Sequence, residues 1–175
     1  MESMVTIDEL LADPRRRKYA AVPESDALTE ENSLQEADLV DAKFNLLGGS
    51  LAMLFDLRVS LGFRMANTAV LVIRDVLRVE LQSQEAPGIE RIAHLVMSSK
   101  PGVSDRLFSF ELRCLRGWRL NAMATSAEFF VGDIPGLPEA PPDFTEDDEE
   151  TVAAGMPAWN APFHPIWATF IDPHP

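Results

Sequence analysis

The histidines and the single cysteine are the side chains best suited to metal or nucleophilic chemistry, and their spacing favours neither. A helical zinc site needs two histidines at i and i+4, and a strand site needs them two residues apart. His94, His164 and His174 meet neither pattern, even with Asp172 as a further ligand. Cys114 lies at an inward position of a predicted strand, where a free thiol usually packs as a small apolar group. Because the chain also has no Gly-x-Ser-x-Gly elbow and no phosphate-binding glycine loop, we predict a non-enzymatic protein with no catalytic residue, metal or cofactor.

A run of carboxylates near the C-terminal end is the best candidate for a recognition surface. Residues 147–150 are too crowded to act as two separated catalytic carboxylates, and such runs normally stay solvated. Acidic surfaces accelerate encounter with a basic partner by ~10–10³-fold, and large aromatic residues nearby are typical interface anchors. The residues predicted to contact a protein partner are Asp147, Asp148, Glu149, Glu150, Trp159 and Trp167. Alternatively, the aromatic residues fold back and fill a groove in the same domain.

Charge and composition exclude several classes of protein. The 28 acidic residues outnumber the 15 basic ones, and a net charge of −13 repels nucleic-acid phosphates. No apolar stretch reaches the ~18–20 residues of a membrane helix. The basic residues 15–18 precede a polar stretch instead of the apolar segment of an export signal, and one cysteine excludes a disulfide framework. We therefore expect a cytoplasmic protein, and the excess of arginine over lysine is typical of a GC-rich bacterial genome.

Proline and charge predict three segments. No basic residue follows Arg119, and most of the 13 prolines lie beyond it. Since proline removes a backbone donor and is excluded from central strands, irregular structure is predicted from Pro135 onward. The predicted segments are short N-terminal helices and loop (1–40), a β core (41–134), and an acidic tail rich in proline and aromatic residues (135–175). Because disordered segments are poor in aromatic residues, we expect the tail to dock on the same domain.

Two capping-box patterns predict short helices in the N-terminal segment. Thr6 and Glu9 bracket the start of a helix over residues 7–12 that Pro14 should end. Ser33 and Glu36 repeat the spacing and predict one or two helical turns through residue 40.

Apolar residues recur with a period of two across most of residues 43–131, which predicts strands. The continuous apolar run 69–73 predicts a strand covered on both faces, and Arg116-Gly117 predicts a turn. The predicted inward positions are Leu51, Met53, Phe55, Leu57, Leu77, Val79, Leu81, Phe108, Phe110, Leu112, Cys114, Trp118, Leu120, Ala122 and Ala124. Ala127, Phe129 and Val131 indicate a further short strand. Six to eight short strands without interleaved long helices predict a mainly β protein, an antiparallel β-sandwich or partial barrel.

Several short motifs resemble those of small β-rich bacterial immunity proteins from toxin–immunity loci. The motifs are Asp41-Ala-Lys-Phe44, Leu54-Phe-Asp-Leu-Arg58, Asn67-Thr-Ala-Val-Leu71, Gly117-Trp-Arg-Leu120 and Ala127-Glu-Phe129. The resemblance covers residues 41–131. It implies stoichiometric binding, in which an acidic protein covers the active site of a basic toxin domain.

Two other functions remain open. A β-sandwich can hold a small molecule, here in an apolar pocket lined by Met53, Phe55, Phe108, Phe110 and Trp118. The chain could also be a subunit of a homo-oligomer in which one tail packs on the neighbouring copy. Asp56 and Arg58 are predicted on the polar face of one strand as an exposed ion pair contributing ~0–1 kcal/mol, with a recognition patch as the alternative.

Overall fold

Antiparallel strands make up most of the computed structural model, which describes residues 5–12, 19, 21–84 and 93–173. The strands are β1 (Val5–Thr6), β2 (Asp38–Asn45), β3 (Ser50–Asp56), β4 (Thr68–Gln82), β5 (His94–Ser104), β6 (Leu107–Cys114), β7 (Arg119–Asp133) and β8 (Pro162–Ile171). The α-helices are α1 (Ile7–Ala12) and α2 (Glu149–Ala154), and a single 3-10 turn covers Leu115–Gly117. No helix in the described ranges is long and apolar enough to cross a membrane. The prediction of a mainly β, antiparallel fold is confirmed.

The strands form one sheet in the order β1-β8-β7-β4-β3-β2-β5-β6, and β6 also pairs with β7. The second pairing of β6 closes a ring through β2, β3, β4, β7, β6 and β5. The ring is weakest between β2 and β5, which pair only at Asp38–Leu95 and Leu39–His94. This closure matches the partial barrel among the predicted architectures.

The two longest strands, β4 and β7, pair with each other along most of their lengths. The other edge of β7 pairs with β6 over its first part and with β8 over its second part. The sequence predicted two short strands in place of each, which is wrong. In β4 a bulge between Val76 and Arg78 bends the chain without ending the ladder, as bulges do. The bulge also turns Leu77 outward, whereas Val79 packs inward as predicted. The inward prediction for Leu81 is wrong, because Leu81 is 60% exposed near the end of β4.

Two apolar clusters lie on opposite faces of β3 and β4. The interior cluster fills the ring and contains Leu51, Met53, Phe55, Ala69, Leu71, Phe108, Phe110, Leu112, Cys114, Leu120, Ala122 and Phe129, among others. The outer cluster contains Ala52, Leu54, Val70, Val72 and Phe130, covered by Ile7, Leu10, Trp159 and Phe163. Leu54 interrupts the alternation of β3 because its face is buried too. The prediction that residues 69–73 are covered on both faces is confirmed.

One of the two capping boxes forms. The Thr6 backbone N–H donates to Glu9 Oε2 (2.8 Å) and the Glu9 N–H donates to Thr6 Oγ1 (3.2 Å), so helix α1 begins as predicted. Pro14 lies outside the described residues. The helix predicted after Ser33 is wrong, because residues 31–36 form turns and β2 follows. Backbone N–H groups there donate to distant β5 carbonyls, as from Glu36 to Val96 (3.0 Å), instead of forming a helix.

Strand β8 corrects the prediction of an irregular tail. It pairs with β7 on one edge and with the short β1 on the other. Its prolines occupy positions that tolerate a missing N–H: Pro162 is the first strand residue, and Pro165 lies at a bulge opposite Gly132. Strand structure is therefore compatible with this proline content.

The glycine opposite that bulge allows β7 and β8 to approach closely. A Cβ atom at position 132 would lie 2.1 Å from the backbone carbonyl oxygen of His164. We predict that Gly132→Ala lowers the free energy of unfolding by at least ~1–3 kcal/mol, the usual cost of overpacking. Urea unfolding followed by tryptophan fluorescence measures this change.

Gly102→Ala is the matched control in β5. There the nearest atom to the new Cβ is the Ser109 hydroxyl at 2.8 Å, and that side chain can rotate away. Gly102→Ala should therefore cost clearly less. Equal stability losses in the two variants would contradict the close approach at Gly132.

Candidate functional site

The structure separates the six residues predicted to contact a partner into two groups. The four carboxylates at 147–150 are exposed, whereas Trp159 and Trp167 are buried. Trp167 belongs to the interior cluster and stacks on Phe63 with ring centroids 5.9 Å apart. The Trp159 indole N–H donates to Asp41 Oδ2 (2.6 Å), and Lys43 Nζ lies 4.6 Å from its ring centroid. Both tryptophans therefore pack within the chain, as the alternative had it, and of the six residues only the four carboxylates are exposed.

The carboxylates lie on a compact segment, residues 143–150, that we call the acidic turn. Asp143 Oδ1 accepts hydrogen bonds from the Thr145 hydroxyl (2.7 Å) and N–H (2.8 Å), and Asp147 Oδ2 accepts one from the Asp143 N–H (2.8 Å). Asp148 caps helix α2 by accepting from the Thr151 N–H (2.7 Å). These hydrogen bonds lower the pKa of Asp143 and of Asp148. Both side chains are therefore ionised at neutral pH and held in defined positions.

An aromatic residue that the sequence reasoning missed lies inside the acidic turn. The Phe144 side chain is 41% exposed between exposed carboxylates. The available signal was a single aromatic residue in a stretch otherwise rich in proline and acids. An exposed aromatic residue within a charged surface combines an apolar contact with electrostatic attraction.

A buried arginine fixes the base of the acidic turn to the sheet. Arg58 Nη2 lies 2.6 Å from Asp56 Oδ2, and the two side chains are 3% and 0% exposed. The guanidinium also donates to the carbonyl oxygens of Pro138 and Ala140 (3.1 Å each) and of Gly155 (2.7 Å). The prediction of an exposed ion pair is wrong, because the segment that bears the acidic turn covers it. We call this group the Arg58 anchor.

Asp38 adds a second carboxylate beside the Arg58 anchor. It is the cross-strand partner of Asp56 in the β2–β3 ladder. Burial raises the pKa of Asp38, the negative charge of Asp56 raises it further, and Arg58 opposes the rise. The folded structure therefore disfavours the ionised form of Asp38, in contrast to Asp143 and Asp148, whose pKa values are lowered.

The candidate nucleophile Cys114 and the histidines His94 and His164 lie on three different strands, β6, β5 and β8. Burial raises the pKa of the Cys114 thiol to about 12, with a further contribution from Asp38, so the thiol is protonated at neutral pH. His94 stacks on Trp118 with ring centroids 5.5 Å apart, and His164 lies in β8. His174 lies outside the described residues. In the part of the chain that the structure describes, no group of three or more His, Cys, Asp or Glu side chains is placed to hold a metal ion.

The apolar pocket considered as an alternative is filled by its own side chains. Met53, Phe55, Phe108 and Phe110 are almost fully buried in the interior cluster, and Trp118 packs against them. These residues therefore form a core, and only Phe110 among them also borders an open surface cavity, of about 270 Å³, beside Ala122 and Met123.

Comparisons with protein-family models, with curated proteins and with solved structures give no match for this chain. Its function therefore has to be inferred from its own geometry.

Removal of the arginine tests the Arg58 anchor. We predict that Arg58→Met lowers the free energy of unfolding by ~3–5 kcal/mol, because it leaves the Asp56 carboxylate buried without a cation. Urea unfolding gives the stability. Cleavage by a glutamate-specific protease at residues 146–150 should accelerate at the same time, since the acidic turn loses its attachment.

Arg78→Met is the control for this variant. The Arg78–Glu80 ion pair has side chains 65% and 44% exposed, so its removal should cost ~0–1 kcal/mol and leave proteolysis of the acidic turn unchanged. A similar, small loss in both variants would show that the Arg58 anchor is not buried in solution.

Asp38 gives a prediction for pH dependence. Its pKa in the folded protein is raised above the ordinary value of 3.8, so its ionisation on the way to neutral pH destabilises the folded state. Asp38→Asn should therefore be more stable than the wild type at pH 7, and this advantage should disappear as pH falls below the unfolded-state pKa. Unfolding free energies measured between pH 3 and 7 test this, and an advantage that is constant with pH would contradict it.

Proposed function

We propose that this chain is a non-enzymatic protein-binding protein that binds a partner with a basic surface through the acidic turn. One observation carries the proposal: the carboxylates of the acidic turn are exposed, its three aspartates are held by hydrogen bonds, and the cation bound to this segment is buried. Arg58 directs its donors to Asp56 and backbone carbonyls, so it does not neutralise the turn at the surface. Six of the eight residues of the acidic turn are exposed acids and none is Lys or Arg, so the turn itself is a strongly negative surface.

The mechanism that we propose is stoichiometric binding of the immunity type. The ordered carboxylates attract a basic toxin domain and raise the association rate, and Phe144 supplies an apolar contact once the surfaces meet. The resemblance of residues 41–131 to immunity proteins supports this form of the proposal. We also propose that the encounter takes place in the bacterial cytoplasm, where a free cysteine such as Cys114 is ordinary.

Capture from a bacterial lysate, with mass spectrometry as the readout, identifies the partner. The tagged full chain is incubated at low salt and eluted with a salt step. One dominant basic protein released by salt is the expected result. The captured protein is then purified for kinetic measurements, and an empty eluate at every salt concentration would contradict the proposal.

Neutralisation of the acidic turn tests its role in association. We predict that the variant slows association by about tenfold at low salt and flattens the salt dependence, because it removes long-range attraction. Asn retains the capping ability of Asp, so α2 should remain folded. The substitutions are Asp147→Asn, Asp148→Asn, Glu149→Gln and Glu150→Gln.

The control removes two charges from other exposed positions and is compared with a two-charge variant of the acidic turn. Glu36→Gln with Asp105→Asn forms the control, and Asp147→Asn with Glu150→Gln forms the test pair; all four positions are exposed. Only the test pair should slow association strongly. Equal effects would assign the attraction to net charge and not to the acidic turn.

A further inference from the structure

The hairpin between β2 and β3 ends in exposed apolar residues. Leu46 and Leu47 are 79% and 98% exposed, and Phe44 precedes them as another exposed apolar side chain. Hairpin turns usually carry polar residues and glycine, so two consecutive leucines are unusual. We call Leu46 and Leu47 the apolar tip. Contiguous apolar exposure of this kind marks an interaction surface more often than chance placement.

The apolar tip is held in a defined position. The Gly48 N–H donates to Asn45 Oδ1 (2.9 Å), and the Gly49 carbonyl oxygen accepts a hydrogen bond from the Val76 N–H in β4 (2.8 Å). Gly49 has φ of +60°, which suits glycine and closes the turn. The tip is therefore pre-organised, and little conformational entropy would be lost when a partner contacts it.

An apolar groove lies beside the apolar tip, between α1 and the β2–β3 hairpin. It is an open cavity of about 480 Å³ with apolar walls that include Leu11, Ala12, Ala52, Val72 and Phe44. This volume is within the range of pockets that accept small apolar groups, ~300–1,000 Å³. Phe44 lines the groove and is also two residues from the apolar tip, so the apolar tip and the cavity form one continuous surface. We call this cavity the α1 groove.

The charges at the rim of the α1 groove are balanced. Lys43 Nζ lies 3.1 Å from Asp8 Oδ1, and both residues line the groove. The described lining has no other ionisable side chain. Among the described residues the rim therefore presents one cation and one anion, which makes it complementary to a second copy of itself under a two-fold rotation.

We propose that two copies of the chain form a symmetric dimer in which the apolar tip of each copy occupies the α1 groove of the other. A two-fold interface requires one self-complementary patch, and a knob next to a cavity of matching polarity meets that requirement. Each Asp8–Lys43 pair would then face its counterpart across the rim. This arrangement differs from an oligomer in which tails pack on neighbours, since the tail packs on its own chain through Trp159 and Trp167.

Sedimentation equilibrium of the purified full chain, over about 1–200 µM, tests the dimer. The wild type should show a reversible monomer–dimer equilibrium. Leu46→Asn with Leu47→Asn removes the tip, and Ala12→Arg blocks the groove from an exposed position; each should weaken dimerisation at least tenfold. Leu61→Asn is the control, because Leu61 is 70% exposed in a different loop, and it should leave the equilibrium unchanged. Circular dichroism establishes that each variant is folded.

A mixing experiment distinguishes the reciprocal interface from general stickiness. The tip variant retains its groove and the groove variant retains its tip, so a mixture should form heterodimers through one intact contact where neither variant dimerises alone. A monomeric wild type at every concentration, or variants that dimerise like the wild type, would overturn the proposal. Because the assay uses the purified chain without any partner, its result is independent of the basic partner proposed for the acidic turn.

Discussion

Burial of both faces of β3 and β4 is the constraint on which the rest of the structure depends. Adjacent residues such as Val70 and Leu71 belong to opposite clusters, so a closed ring alone cannot bury this part of the sheet. The outer face needs its own cover, which α1 and the C-terminal segment supply through Leu10, Trp159 and Phe163. Helix α1 and the described C-terminal segment are therefore parts of the fold, and each fully buried large apolar side chain contributes ~1.5–3 kcal/mol to their attachment.

The Arg58 anchor attaches the covering C-terminal segment to the sheet and so fixes the position of the acidic turn. A buried ion pair gives little net stability because desolvation offsets its attraction, but its loss is costly and its geometry is exacting. Arg58 binds Asp56 in the sheet and three carbonyl oxygens of the covering segment at the same time. The chain on both sides of the acidic turn is thereby fixed, and the carboxylates are presented from a rigid support. Asp38 next to the anchor limits its stability, since partial burial and the charge of Asp56 both disfavour its ionised form.

The two proposed surfaces are both connections between elements of a rigid scaffold. The acidic turn lies between β7 and β8, and the apolar tip joins β2 to β3. Loops on a fixed scaffold often carry binding function because their side chains do not have to fill the core. The two surfaces differ in physical character: the acidic turn acts at long range through charge, whereas the apolar tip acts only on contact. They can therefore serve different partners, a basic protein and a second copy of the chain.

Local patterns in the sequence were enough to predict the features that depend on near neighbours. The alternation of Phe108 and Phe110 with polar residues placed β6, the Thr6–Glu9 capping box placed α1, and consecutive acids predicted an exposed surface. Features that depend on distant residues were decided only by the tertiary structure. Trp159 and Arg58 are buried because segments about 80–120 positions away in the chain cover them. Residues 33–36 form turns instead of a helix, and the Glu36 N–H donates a hydrogen bond to β5. A sequence pattern encodes which face of an element is apolar, but the partner that covers that face is chosen when the chain closes on itself.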